Sequence, residues 1–155
     1  MDGIQNRVTR LTGVSPTPRR RPSREVLGLL ERAAGPLAST ALRRVERDYP
    51  WFLVLPAQQR SWVGLVAQAG IAAFIAWLGA EGDDEPPVTA DVFGTAPREL
   101  TASITLSQTL DLIRATVSVV EDEVDGMGSA DEAQVLREAV LHYSREIAFA
   151  AAQVY

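Results

Sequence analysis

Two apolar stripes in the C-terminal half leave little freedom for the fold. The first is Leu106, Leu110, Ile113, Val117, Val120 and Val124; the second is Leu136, Val140, Tyr143, Ile147, Ala150 and Val154. Both advance in steps of 4, 3, 4, 3 and 4. That rhythm lines one face of an α-helix and cannot line a strand, whose side chains alternate with a period of two. Only Asp125-Gly126-Met127-Gly128 and a few polar residues separate the stripes. The two helices are therefore expected to pair antiparallel at a shallow crossing.

Their starts are marked. Thr105 with Gln108, and Ser129 with Glu132, form S/T-x-x-E/Q capping boxes. The second helix carries no Gly, Asn or Pro near its end, so it is predicted to run on through Tyr155. At the standard rise the first helix spans about 28 Å and the second about 39 Å. The last segment, Phe149 to Tyr155, then overhangs its partner by roughly two turns. It is expected to pack on another chain, on another domain, or on nothing. Such an alanine-rich ending reads as one module of a longer protein, truncated within its last helix.

The remaining pattern is also helical. Ser23 caps a predicted helix over 24–34, Gly35-Pro36 breaks it, and Pro36 opens a second segment ending at Asp48. Tyr49-Pro50-Trp51-Phe52 is an aromatic turn expected to plug one end of the molecule. A helix from Pro56 to Leu78, closed by Gly79, is apolar nearly all round and is expected to be surrounded by others. Its small residues Gly64, Ala67, Gly70, Ala73 and Ala76 admit close neighbours. Residues 79–95 read as a long acidic loop, and 97–102 as a short helix. The expected fold is all-α, a helical bundle of four main helices plus short helical segments. Residues 1–22 are expected to be a flexible basic leader, and residues 23–155 a helical regulatory domain.

Composition removes several chemistries. The chain has no cysteine, which excludes disulfides, zinc–thiolate sites and a cysteine nucleophile. All 15 basic residues are arginine, which excludes Schiff-base chemistry and a Walker-type lysine. Residues 1–24 hold six arginines and one acid, while the other 131 residues hold nine arginines and nineteen acids. A body so acidic is a poor nucleic-acid binder. Arg19-Arg20-Arg21 and Arg24 offer a possible contact to nucleic acid, but a solvated leader is the preferred reading. The apolar run Val63 to Ala80 sits at the lower edge of a membrane span. Its Ala and Gly content favours a buried helix, and no membrane partner is expected. With no signal sequence, a cytoplasmic location is expected.

Candidate sites are few. Trp62, Phe74 and Trp77, among small residues, are candidates to line a ligand pocket between helices. Arg114 and Arg145 lie in otherwise apolar stretches, where either could meet an anionic ligand, pair with an acid or snorkel outward. Glu138, His142 and Glu146 share a helix face and form a weak alternative metal site. An exposed i,i+4 ladder is preferred, so no metal and no cofactor are expected. Glu121, Asp122, Glu123 and Asp125 crowd a helix C-terminus against its dipole. They are either exposed or held by arginines from elsewhere. With no catalytic triad, phosphate loop or paired carboxylates, no enzyme activity is expected.

Longer strings carry a resemblance. Phe93-Gly94-Thr95-Ala96-Pro97-Arg98-Glu99-Leu100, Ile104-Thr105-Leu106 with Gln108-Thr109-Leu110 and Leu112-Ile113-Arg114, and Val119-Val120-Glu121 form one block. Leu136-Arg137-Glu138-Ala139-Val140-Leu141 and Tyr143 to Ala151 form another. Together with the Pro-Trp-Phe and Gln-Arg-Ser-Trp stretches, they make residues 25–155 similar to the N-terminal region of actinobacterial PucR-type (purine-catabolism-regulator-like) transcription regulators. The resemblance implies a helical sensor domain, similar to those of stressosome proteins, ahead of a central domain and a C-terminal helix-turn-helix. Some such regulators control fatty-acid biosynthesis genes in streptomycetes. DNA would then be bound only by a domain absent from this chain. A small-molecule effector, acyl-CoA or a purine metabolite, fits this reading. So does a homodimer through Tyr143, Ile147, Ala150, Val154 and Tyr155. A stand-alone ligand- or metal-binding bundle and a protein-interaction scaffold are the alternatives.

Overall fold

The computed structural model describes residues 20–80 and 98–154. The leader up to residue 19, most of the acidic loop and Tyr155 lie outside the described residues. Four long helices dominate: α1 (Arg24–Asp48), α3 (Ala57–Gly79), α5 (Leu106–Val124) and α6 (Ala130–Val154). Two short ones, α2 (Pro50–Val54) and α4 (Arg98–Ser103), sit in the connections. The fold is an all-α helical bundle, with no strand among the described residues.

Helix α1 packs on both α3 and α5, and α5 pairs with α6 through the turn that follows it. The core runs through Leu30, Ala41, Val45, Val63, Leu78, Leu112, Val124 and Leu136. The α1–α3 contact is close at Gly64, where an added Cβ would stand 3.0 Å from a Leu42 methyl.

Gly35-Pro36 does not break the first helix; α1 runs unbroken through both. Proline removes one helical hydrogen bond and crowds the carbonyl four residues back. Both residues lie on the exposed side of α1, as does Arg32, whose carbonyl is released. Leu30 before them and Leu37, Ala38 and Ala41 after them are buried on the opposite side. Tertiary burial on both flanks outweighs the local penalty.

Helix α3 is long and apolar enough to cross a membrane, judged by length and composition alone. It is not surrounded on all sides, since only 44% of its apolar window is buried. Leu65, Gln68, Ala72 and Ala76 form an exposed stripe, with Leu65 53% exposed. Apolar composition all round gave no indication of this open side.

The 4-3 stripe of α6 faces inward as expected from Leu136 to Ala150. That of α5 is offset. Leu106, Leu110, Ile113 and Val117 are only half-buried, while Thr109, Leu112, Ala115 and Val119 are buried; only the last two stripe members, Val120 and Val124, face inward as expected. Helix α5 touches α1 and α3 as well as α6, so its inner face is rotated toward small and polar residues. The overhang is also corrected: Ala150 and Ala151 are 4% and 0% exposed, covered within the chain itself. Phe149 and Val154 face solvent.

Both predicted caps of α5 form. Thr105 Oγ1 accepts from the Gln108 N–H and Gln108 Oε1 accepts from the Thr105 N–H. At α6 only half the box forms. Ser129 Oγ accepts from the Glu132 N–H, but the Glu132 carboxylate turns to Ser23 and accepts from its Oγ–H at 2.7 Å. The starts of α1 and α6 are thereby tied together.

Candidate functional site

Helices α3 and α6 approach each other through large side chains. Phe74 meets Tyr143 edge-on with ring centroids 5.3 Å apart, and Trp77 lies 5.3 Å from the same ring. Trp77 also stacks on His142. Beside these rings α3, α5 and α6 leave a groove of about 70 Å³. Helix α3 contributes Val66, Ala67, Gly70, Ile71 and Phe74 to its lining. Helix α5 contributes Leu112, Ile113, Thr116, Val117 and Val120. Helix α6 contributes Val140, Tyr143, Ser144 and Ile147.

The small residues of α3 act here differently from the expectation. Gly64 admits Leu42, as foreseen, whereas Ala67 and Gly70 leave room for the groove. Polar character is nearly absent. The Thr116 hydroxyl donates to the Leu112 carbonyl and the Ser144 hydroxyl to the Leu141 carbonyl, each within its own helix. Burial pushes the Tyr143 phenol up to about 12, because the charged phenolate loses hydration there. The groove suits an apolar guest and offers no charged group to hold an ionic one.

The predicted pocket residues are only partly brought together. Phe74 lines the groove, and Trp77 is buried behind it. Trp62 is half-buried on α3 outside the lining. Arg114 is exposed on α5. Arg145 is exposed on α6, with its guanidinium 3.5 Å from both His142 Nδ1 and Glu146 Oε1. Neither arginine reaches the groove. Thr116, Ser144, Ile71 and Val66 were missed by sequence reasoning, because only the offset of α5 and the splay of α3 from α6 bring them together.

Glu138, His142 and Glu146 are engaged separately. Glu138 accepts from Gln134, His142 lies on Trp77, and Glu146 accepts from Arg145. Among the described residues no three His, Asp or Glu side chains gather as a metal site. The acidic end of α5 is held by arginines from other helices. Arg44 donates to Asp122 at 3.0 Å and to Ser118, and Arg137 donates to Asp125 at 2.8 Å.

Of the predicted interface residues, Tyr143, Ile147 and Ala150 are buried inside the chain, which corrects their assignment to a contact between chains. Their stripe is spent on α3 and α5. Val154 remains 40% exposed, and Tyr155 lies outside the described residues.

No protein-family profile matches the chain. It is similar to uncharacterized proteins from Mycobacterium bovis and from two strains of Mycobacterium tuberculosis. Each is 34% identical over 131 residues, covering 84% of this chain and 31% of the relative. The chain thus spans about a third of the length of the curated relatives it matches.

Proposed function

We propose that this bundle is the regulatory module of a longer cytoplasmic transcription regulator of the PucR type, whose DNA-binding part lies outside this chain. The observation that carries the reading is the apolar groove at the splayed α3–α6 seam. Support also comes from relatives in which the similar segment is only 31% of the whole. In this reading the module is not an enzyme, and a small molecule entering the groove changes how α6 rests on α3. A ligand shifts such an equilibrium only if it binds the two arrangements with different affinity.

The lining favours an acyl group, as in acyl-CoA, over a purine metabolite. A purine requires several converging donors and acceptors, and the Thr116 and Ser144 hydroxyls are already bonded within their helices. At about 70 Å³ the groove is smaller than the 300–1,000 Å³ of most small-molecule sites. Its guest is therefore slender, or the seam widens around it. Self-association as a homodimer is assigned to the outer face of α6, where Leu141 and Phe149 are 61% and 62% exposed.

Thermal unfolding tests the sensing role. Binding to the native state at a hundredfold excess over Kd stabilises by about 2.7 kcal/mol. Acyl-CoA should raise the Tm, Ser144→Phe should abolish the rise by filling the groove, and purines should have no effect. Equal shifts in Ser144→Phe and the parent would remove the groove from the reading. Sedimentation of Phe149→Arg beside the parent checks the dimer, and identical monomer masses would exclude it.

A further inference from the structure

The sequence runs Arg19-Arg20-Arg21-Pro22-Ser23-Arg24, and residues 20–24 have no part in the groove. Ser23 is the only Ser or Thr in the whole sequence with arginine both two and three residues before it. Residues 20–23 are non-helical; Arg20 and Ser23 are exposed, Arg21 is half-buried, Pro22 is buried, and Ser23 is extended with φ −65° and ψ 161°. Two arginines, one exposed at Arg20 and one half-buried at Arg21, lead to an exposed hydroxyl, and that is the charge pattern an acidic kinase cleft reads. We infer that Ser23 is a phosphorylation site for an arginine-directed serine/threonine protein kinase, and that its modification unties the start of α1 from the start of α6.

The transfer is balanced with a nucleoside triphosphate and magnesium as co-reactant. The Ser23 Oγ attacks the γ-phosphorus, and an Oγ–P bond forms as the bond to the diphosphate leaving group breaks. The hydroxyl proton goes to the kinase's carboxylate base.

The consequence follows from what Ser23 now holds. Its Oγ–H donates to Glu132 Oε2 at 2.7 Å, its N–H points to the same oxygen at 3.4 Å, and its Oγ accepts from the Val26 N–H at 3.3 Å. Once phosphorylated, Oγ has no proton to donate, and a group of charge near −2 stands against a carboxylate. Attraction becomes repulsion at that junction. The phosphate oxygens are instead drawn to the first-turn N–H groups of α1 and to Arg20 and Arg24, which flank them in sequence. Helix α1 keeps its cap while its bridge to α6 is lost. Val26 packs against the turn that precedes α6, with its Cγ2 3.0 Å from where a Gly128 side chain would begin. Loosening therefore spreads to that turn.

The test uses the intact protein with the catalytic subunit of cyclic-AMP-dependent protein kinase and magnesium ATP. One phosphate should be found, located at Ser23 by fragmentation. Ser23→Ala should take none, and Arg20→Ala, which leaves the hydroxyl and its partner in place, should slow incorporation at least tenfold. Amide exchange at residues 129–133 should be faster in the phosphorylated protein. Phosphate elsewhere, no phosphate, or an unchanged rate in Arg20→Ala overturns the site. Unchanged exchange overturns the untying. Retention of duplex DNA by the unmodified protein, lost in Arg20→Ala and without phosphate at Ser23, assigns the run to nucleic acid and also overturns the proposal.

Discussion

The indole of Trp77 lies on the imidazole of His142, with ring centroids 5.6 Å apart and planes inclined by 19°. Trp77 is buried on α3 and His142 is exposed on α6, so the pair covers one end of the α3–α6 seam. Such ring pairs contribute about 0.5–1.5 kcal/mol beyond area burial. His142→Ala should lower stability by about 1 kcal/mol. The check is a reduced denaturant midpoint at unchanged m-value, with altered tryptophan emission.

Tyr143 gives a pH signature. In the fold it holds its proton up to about 12, against 10.0 for an unburied tyrosine. The unfolded chain therefore releases this proton first, and stability falls as pH rises from about 10 toward 12. Below that window the group contributes no pH dependence. Absorbance titration should show one late-ionising tyrosine that disappears in Tyr143→Phe, and the alkaline loss of stability should shrink with it.

Trp51 anchors the short α2 to α5, because its Nε1–H donates to Asp111 at 3.1 Å. Hydrogen bonds to charged groups are worth about 1.5–3 kcal/mol. As this one is only part-buried, Asp111→Ala is expected at the lower end, and Asp111→Asn, which keeps an acceptor, should lose less. Chemical denaturation of the two variants beside the parent measures the difference.

Gly128 has φ +67°, the only positive φ among the described residues. A side chain there meets both backbone strain and Val26 Cγ2 at 3.0 Å. Gly128→Ala should destabilise by about 1–2 kcal/mol from the backbone alone. Calorimetry should show a lower Tm. An unchanged Tm would mean that the turn re-forms differently.

Helix type and the capping of α5 were legible because both rest on local spacing, as Thr105 and Gln108 demonstrate. The inward stripe of α6 was legible for the same reason. The inner face of α5 was not, since Thr109 is 2% exposed and no ranking by hydrophobicity selects a threonine over Leu110. The Glu132 cap failed through a contact 109 residues away, which no local motif contains. The groove depends on how far α3 and α6 stand apart. That is a property of packing among Phe74, Trp77 and Tyr143, and spacing along the chain does not record it.

Pro36 has a consequence for the order of assembly. A helix carrying an internal Gly-Pro pair is penalised by several kcal/mol when alone, so α1 lacks the means to nucleate early. The capped α5 and α6, joined by a short turn, have no such handicap. Helix α1 becomes continuous only when Leu30 and Leu37 find their places against the rest of the bundle. Its continuity is then a product of the bundle and not of its own sequence. A peptide of residues 24–48 should accordingly show little helical circular dichroism by itself, while the α5–α6 hairpin should show more.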